Sequence, residues 1–114
     1  MIRTPMNQKN IFAALVALCL ALTANAQSEG KYRAVEEAFA QTLHKYTAHV
    51  CDTLAEHMVK KHKHDPELCV ALARAYFRDR EIKRAHNYLE RALEVKPGYG
   101  SAYTAYGDIE YYYQ

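Results

Sequence analysis

The sequence predicts an all-α domain built of stacked helix-turn-helix repeats, and three observations carry that reading. Apolar residues recur at three- and four-residue steps, the period of helices with one buried face. From Lys31 to Lys96 there is no glycine and only one proline, Pro66, so the stretch can be helical with a single break. A pattern of large and small residues then returns at a displacement of 34: Cys69-x2-Leu72-Ala73 and Tyr103-x2-Tyr106-Gly107, with Ala71 and Ala105 in step. Thirty-four residues is the period of a helix-turn-helix solenoid unit.

Ahead of the repeats, "MIRTPMNQKN" carries Arg3 and Lys9 and no acid, "IFAALVALCLAL" is an apolar run of 12, and "TANA" ends in Ala24-x-Ala26. This basic, apolar, small-residue order predicts a cleavable signal peptide over residues 1–26, with residues 27–114 as the exported domain. Twelve apolar residues at about 1.5 Å each reach ~18 Å, short of a ~30 Å hydrocarbon core, so no stable membrane anchor is expected after cleavage. Leu18 stands before Cys19, where a lipoprotein signal wants a small residue. The expected location is the periplasm or cell envelope of a bacterium. Once Arg3 and Lys9 leave, 13 of the 15 basic residues face 13 acidic ones. Net charge zero removes the basic excess that nucleic-acid binding requires.

The helices follow in order. One is expected around residues 32–46 and a second around 48–62, where Cys51, Ala55 and Met58 mark the apolar side. Asp65 and Pro66 start a third, an N-cap acceptor followed by a proline whose missing N–H is no loss in the first turn. Its buried face reads Leu68, Leu72, Ala75 and Tyr76. The fourth reads Ile82, Ala85, Leu89, Ala92 and Leu93, and "KPGYG" stops it. The fifth is "GSAYTAYGDIEYYYQ", residues 100–114, rich in tyrosine.

Residues 66–99 resemble the tetratricopeptide repeat family at Leu72, Ala73, Tyr76, Ala85, Leu89, Ala92 and Pro97. On that register residues 32–65 form a degenerate repeat, with Phe39 where a small contact is needed. Residues 100–114 are the first helix of an incomplete repeat, in which Glu110 replaces an expected tyrosine. The resemblance implies antiparallel helix pairs stacked as a short right-handed α-solenoid. Independently of the family, small residues at 73 and 85 let two helices approach to about 8–10 Å.

Catalytic signatures are absent. Glycine is too scarce for a phosphate loop and no Gly-x-Ser-x-Gly occurs, so no enzyme and no cofactor are expected. The six histidines, His44, His49, His57, His62, His64 and His86, lack the three- or four-residue spacing of a helical zinc pair, and lysines flank "KKHKH". A metal-binding protein therefore stays a distant alternative. Cys51 and Cys69 sit at apolar helix positions, either as buried thiols or as a disulfide.

What remains is a surface. The family's groove is lined by first-helix positions, which the resemblance carries onto Val70, Arg74, Phe77, Arg78, Ser101, Thr104, Asp108, Tyr111 and Tyr112. Arg74 and Arg78 are four apart and can present two guanidinium groups to a carboxylate or acidic segment. The asparagine-and-lysine clamp some members use for terminal carboxylates is missing, since Arg74 and Val70 stand in its places. The expected function is a non-catalytic protein-interaction module binding a protein or peptide, with a packing unit or fragment of a larger repeat assembly as the alternative. Tyr103, Tyr106 and Gly107 are expected to pack back on Tyr88, Leu89 and Ala92. The tyrosine-rich residues 100–114 are expected to be truncated or completed by another subunit or partner, which includes self-association.

Overall fold

The computed structural model describes residues 31–112, and the expected signal segment lies outside them. Five helices follow one another: α1 (Arg33–Lys45), α2 (Ala48–Lys61), α3 (Pro66–Arg78), α4 (Ile82–Val95) and α5 (Gly100–Tyr112). Every expected element is present, and all regular structure among the described residues is helical.

Local chemistry fixes the joints. The Asp65 carboxylate accepts the Glu67 backbone N–H at 3.0 Å and Pro66 opens α3. At the start of α2 the Thr47 hydroxyl accepts the Val50 N–H at 3.3 Å. Between α4 and α5, Lys96-Pro97-Gly98-Tyr99 makes a tight turn closed by Tyr99 N–H to the Lys96 carbonyl at 3.2 Å. Pro97 supplies the first central dihedral, and Gly98, at φ +79°, supplies the positive φ that such a turn demands at its second central position.

Two helices end in left-handed residues that are not glycine. After α2, His64 N–H reaches the Val59 carbonyl at 2.8 Å and Lys63 N–H reaches Lys60 at 3.2 Å. This is the paired hydrogen bonding that satisfies a helix's last carbonyls, and it places Lys63 at φ +56°. A side chain costs energy there that glycine avoids. Lys63→Gly is expected to raise stability by about 1 kcal/mol, read as a higher urea midpoint at unchanged slope.

The helices form two layers, α1-α3-α5 on one side and α2-α4 on the other. The tightest pair is α3 and α4, joined by a short turn. At their crossing Ala73 and Ala85 are fully buried, with Leu72, Tyr76 and Leu89 filling the space beside them. α2 keeps its backbone further from α1 and α3 than α4 does from α3. Phe39, in the register of Ala73, is the physical reason: its ring is fully buried and meets Tyr76 edge-on at 5.2 Å.

The backbones of α2 and α4 do not approach within 8 Å, and long side chains bridge them. Arg84 Nε donates to both Asp52 oxygens, at 2.9 and 3.0 Å. Arg91 binds Glu56 through both terminal nitrogens. From the core, the Tyr76 hydroxyl donates to Asp52 at 2.5 Å and the Tyr88 hydroxyl to Glu56 at 3.0 Å. Asp52 and Glu56, one helical turn apart, thus tie the first helix pair to the second.

The last helix corrects one expectation. α5 buries Ala102, Ala105 and Ile109, whereas Tyr103 is 56 % exposed. Tyr106 is half-buried, with its ring 5.3 Å from that of His86 and its hydroxyl 3.5 Å from the His86 carbonyl. The sequence displacement explains it. Cys69, the counterpart of Tyr103, is covered because α4 follows α3 and packs on that side; within the described residues no helix takes that place beside α5.

Candidate interaction groove

The layer α1-α3-α5 presents an open face along which two hollows lie. The first, about 540 Å³, is framed by Tyr32 and Arg33 at the start of α1, Val70 and Arg74 of α3, and Tyr99 and Ser101 at the start of α5. The second, about 590 Å³, is framed by Phe77, Arg78, Arg80 and Tyr112. Each has the size range of a small ligand or a side-chain pocket.

Of the expected groove residues, Val70, Arg74 and Ser101 line the first hollow and Phe77, Arg78 and Tyr112 the second, while Asp108 and Tyr111 line neither. Val70 is a buried part of the first floor, and Arg74 on its wall binds Asp108 at 3.2 Å. That pair spans one repeat length, 34 residues, so the register read from sequence is also a physical contact. Phe77 and Tyr112 meet across the second hollow at 5.8 Å, tilted by 57°. Thr104 lines neither hollow, its hydroxyl being bonded to the Gly100 carbonyl at 3.0 Å within its own helix. Tyr111 is 79 % exposed and touches the Tyr112 ring edge-on at 5.7 Å.

Both central guanidinium groups are already engaged. Arg78 donates to Glu37 at 3.0 and 3.3 Å and to Glu36 at 3.2 Å. The hydrogen bond from Arg78 lowers the Glu37 carboxyl below its ordinary pKa, and the same contact holds Arg78 more firmly protonated. An acidic partner reaching Arg74 or Arg78 must exchange with Asp108 or with Glu36 and Glu37. Surface pairs of this kind contribute little, about 0–1 kcal/mol, so exchange is cheap.

At the N-terminal edge of the face, Tyr32 donates to Asp65 at 2.7 Å and Lys31 lies 3.4 Å from the same carboxylate. Burial first, then the bond to Asp65, pushes the Tyr32 hydroxyl up to about 12. Burial acts to raise Asp65, but the donors Tyr32, the Glu67 N–H and Lys31 together hold it below its ordinary value. The carboxylate therefore stays ionised while capping α3 and anchoring α1.

His62, where α2 ends, sits edge-on to Tyr32 at 6.2 Å with its Nε2 buried and without a hydrogen-bond partner. Burial, then repulsion from Lys61 and Lys31, lowers its pKa below the ordinary 6.5, with Asp65 opposing. The unfolded chain takes up a proton below pH 6.5 that the folded chain resists, so stability is constant above that value and falls as pH drops through the folded pKa. Urea midpoints at about pH 7.5 and 5.5 are expected to differ more for the natural chain than for His62→Phe, which keeps the ring and loses the titration.

Other chemistry-bearing residues are apart. His44 lies 4.0 Å from Asp79 on a different helix end, and His86 packs on Tyr106. No three His, Cys, Asp or Glu side chains converge as metal ligands among the described residues. Cys51 and Cys69 are buried thiols; burial pushes Cys69 up to about 11, so little thiolate forms at neutral pH. No described helix is long and apolar enough to cross a membrane.

Residues 66–109 match the tetratricopeptide repeat family model. The match opens at Pro66 and takes in α3, α4 and all but the end of α5. Tetratricopeptide repeats commonly mediate protein–protein interactions and are generally non-catalytic. No curated protein and no solved structure matches the chain. The matched tetratricopeptide segment contains Val70, Arg74, Phe77, Arg78, Thr104 and Asp108 of the expected groove, and Arg80, which the sequence reading missed. Tyr32, Arg33, Glu36 and Tyr99 were also missed. Their joint position depends on how α1 and the start of α5 lean on α3, which no local pattern encodes.

Proposed function

We propose that this is a non-catalytic protein-interaction module, exported to the bacterial cell envelope, that binds a peptide or a segment of a partner protein along α1-α3-α5. One observation carries the reading: three helices in a row leave an open face with two adjacent hollows, apolar in the floor and rimmed by exchangeable ion pairs. An extended segment can place alternate side chains in the two hollows while its charged groups replace intrachain partners. The matched repeat supports an interaction role, and the order of basic, apolar and small residues over Met1–Ala26 supports export.

Immobilised protein is expected to retain an envelope component that Arg74→Ala combined with Arg78→Ala releases, with helicity unchanged. Retention equal to the natural chain would remove the groove from the interaction. Export is checked separately by N-terminal sequencing of envelope-fraction protein, where the expected first residue is Gln27 and an intact Met1 contradicts it.

A second reading, a packing unit of a larger assembly, draws on Tyr103, which is 56 % exposed beside a half-buried Tyr106. A melting temperature that rises with protein concentration favours it.

A further inference from the structure

Arg80 closes α3 in the left-handed conformation, at φ +63°. Its own N–H bonds the Phe77 carbonyl and the next N–H, that of Glu81, bonds Tyr76, both at 2.9 Å. Glycine avoids the penalty of this position, roughly 1–2 kcal/mol for a residue with a side chain. Among the described residues the arginine side chain makes no polar contact that offsets it. Its guanidinium makes no hydrogen bond, ion pair or ring contact among the described residues, whereas Arg78 two residues earlier is held by Glu36 and Glu37. The neighbouring carboxylate, Asp79, is 8 % exposed and lies 4.0 Å from His44.

The backbone conformation nevertheless sets this arginine at the rim of the second hollow, beside the Phe77 and Tyr112 rings. Among the described residues, none that frames that hollow is acidic. A cavity of about 590 Å³ with two aromatic walls and a guanidinium that no acid meets among the described residues selects an anion attached to an apolar group. Arginine suits the task because its planar fork grips a carboxylate through two parallel hydrogen bonds.

We propose that Phe77, Arg80 and Tyr112 form a subsite for a carboxylate neighboured by an aromatic side chain on a bound peptide, with Arg80 as its charged anchor. This rests on the interaction-groove reading above and names the ligand chemistry of one end of it. The carboxylate is a side chain within the segment, since Arg74 and Val70 stand where a clamp for terminal carboxylates would need asparagine and lysine; a free-terminus probe tests the other source.

The test titrates full-length protein with acetyl-Ala-Phe-Glu-Phe-Ala-amide, its Glu→Gln counterpart, and acetyl-Ala-Phe-Ala-Phe with a free C-terminal carboxylate. The Glu probe is expected to bind roughly tenfold tighter than its Gln counterpart, and tighter binding of the free-terminus probe than of the Glu probe overturns the side-chain assignment. Arg80→Gly is expected to abolish that preference while raising the melting temperature, a pairing that a merely structural arginine cannot produce. Arg80→Lys should keep part of the preference, having the charge without the fork. Equal binding of acidic and neutral probes, no binding of any probe, or full preference in Arg80→Gly overturns the subsite. The envelope pull-down then separates the two readings: retention lost with Arg74→Ala and Arg78→Ala but intact with Arg80→Gly leaves the groove standing without this subsite.

Discussion

Tyr76→Ala is expected to cost about 3–5 kcal/mol, enough to unfold much of a domain whose total stability is about 5–15 kcal/mol. Tyr76 is fully buried where both helix pairs meet. Its ring meets Phe39 of α1 edge-on at 5.2 Å and stacks on Tyr88 of α4 at 5.6 Å, so one side chain fills space against three helices. Its hydroxyl also donates to Asp52 of α2 at 2.5 Å. Burial first, and then that hydrogen bond, push the hydroxyl above its ordinary value of 10, so it remains a neutral donor throughout the working pH range. Tyr76→Phe separates the two roles. It keeps the ring contacts and removes only a hydrogen bond to a charged acceptor, for an expected loss of about 1.5–3 kcal/mol, because Arg84 still neutralises Asp52. Urea unfolding of both variants checks the order. Equal losses would mean that the hydroxyl, and not the packed ring, is what Tyr76 contributes.

How far the sequence carries depends on the range of the interaction involved. Pro66, Asp65 and the Lys96-Pro97-Gly98 run act within a few residues, so helix starts and stops were legible to within a residue or two. The 34-residue displacement marked Ala73, Tyr76, Ala85 and Leu89 as core, and all four are fully buried. Partner choice was not legible in the same way. Arg78 finds its carboxylates 41 and 42 residues away, through the lateral packing of α1 on α3, so two arginines read as open to a ligand are each met by an internal acid. The face of α5 failed for a related reason: a helix position is buried only if a neighbour covers it, and Tyr103 inherits the pattern of Cys69 without such a cover among the described residues. Arg80 escaped notice because left-handed caps are normally signalled by glycine, and here the signal is absent while the geometry is present.

Ala85→Leu is the second large effect, an expected loss of about 1–3 kcal/mol or more from overpacking. Ala85 is fully buried opposite the fully buried Ala73, at the closest helix pair of the molecule. Three added carbon atoms cannot enter without pushing α4 away from α3. That displacement would also strain the Arg84–Asp52 and Arg91–Glu56 bridges, because α4 carries one end of each. The counterpart position in the first pair gives the control. Cys51 occupies it on α2, whose backbone stands further from its partner helix, and Phe39 already fills the Ala73 position. Cys51→Leu also adds side-chain bulk at the matching position and is expected to cost less than Ala85→Leu, because α2 stands further off. Comparable losses for the two variants would show that the α3–α4 crossing is no tighter than the first pair. A much larger loss for Ala85→Leu ties the small-residue positions to the close pair alone, which makes α3 and α4 the rigid unit on which both hollows of the groove are mounted.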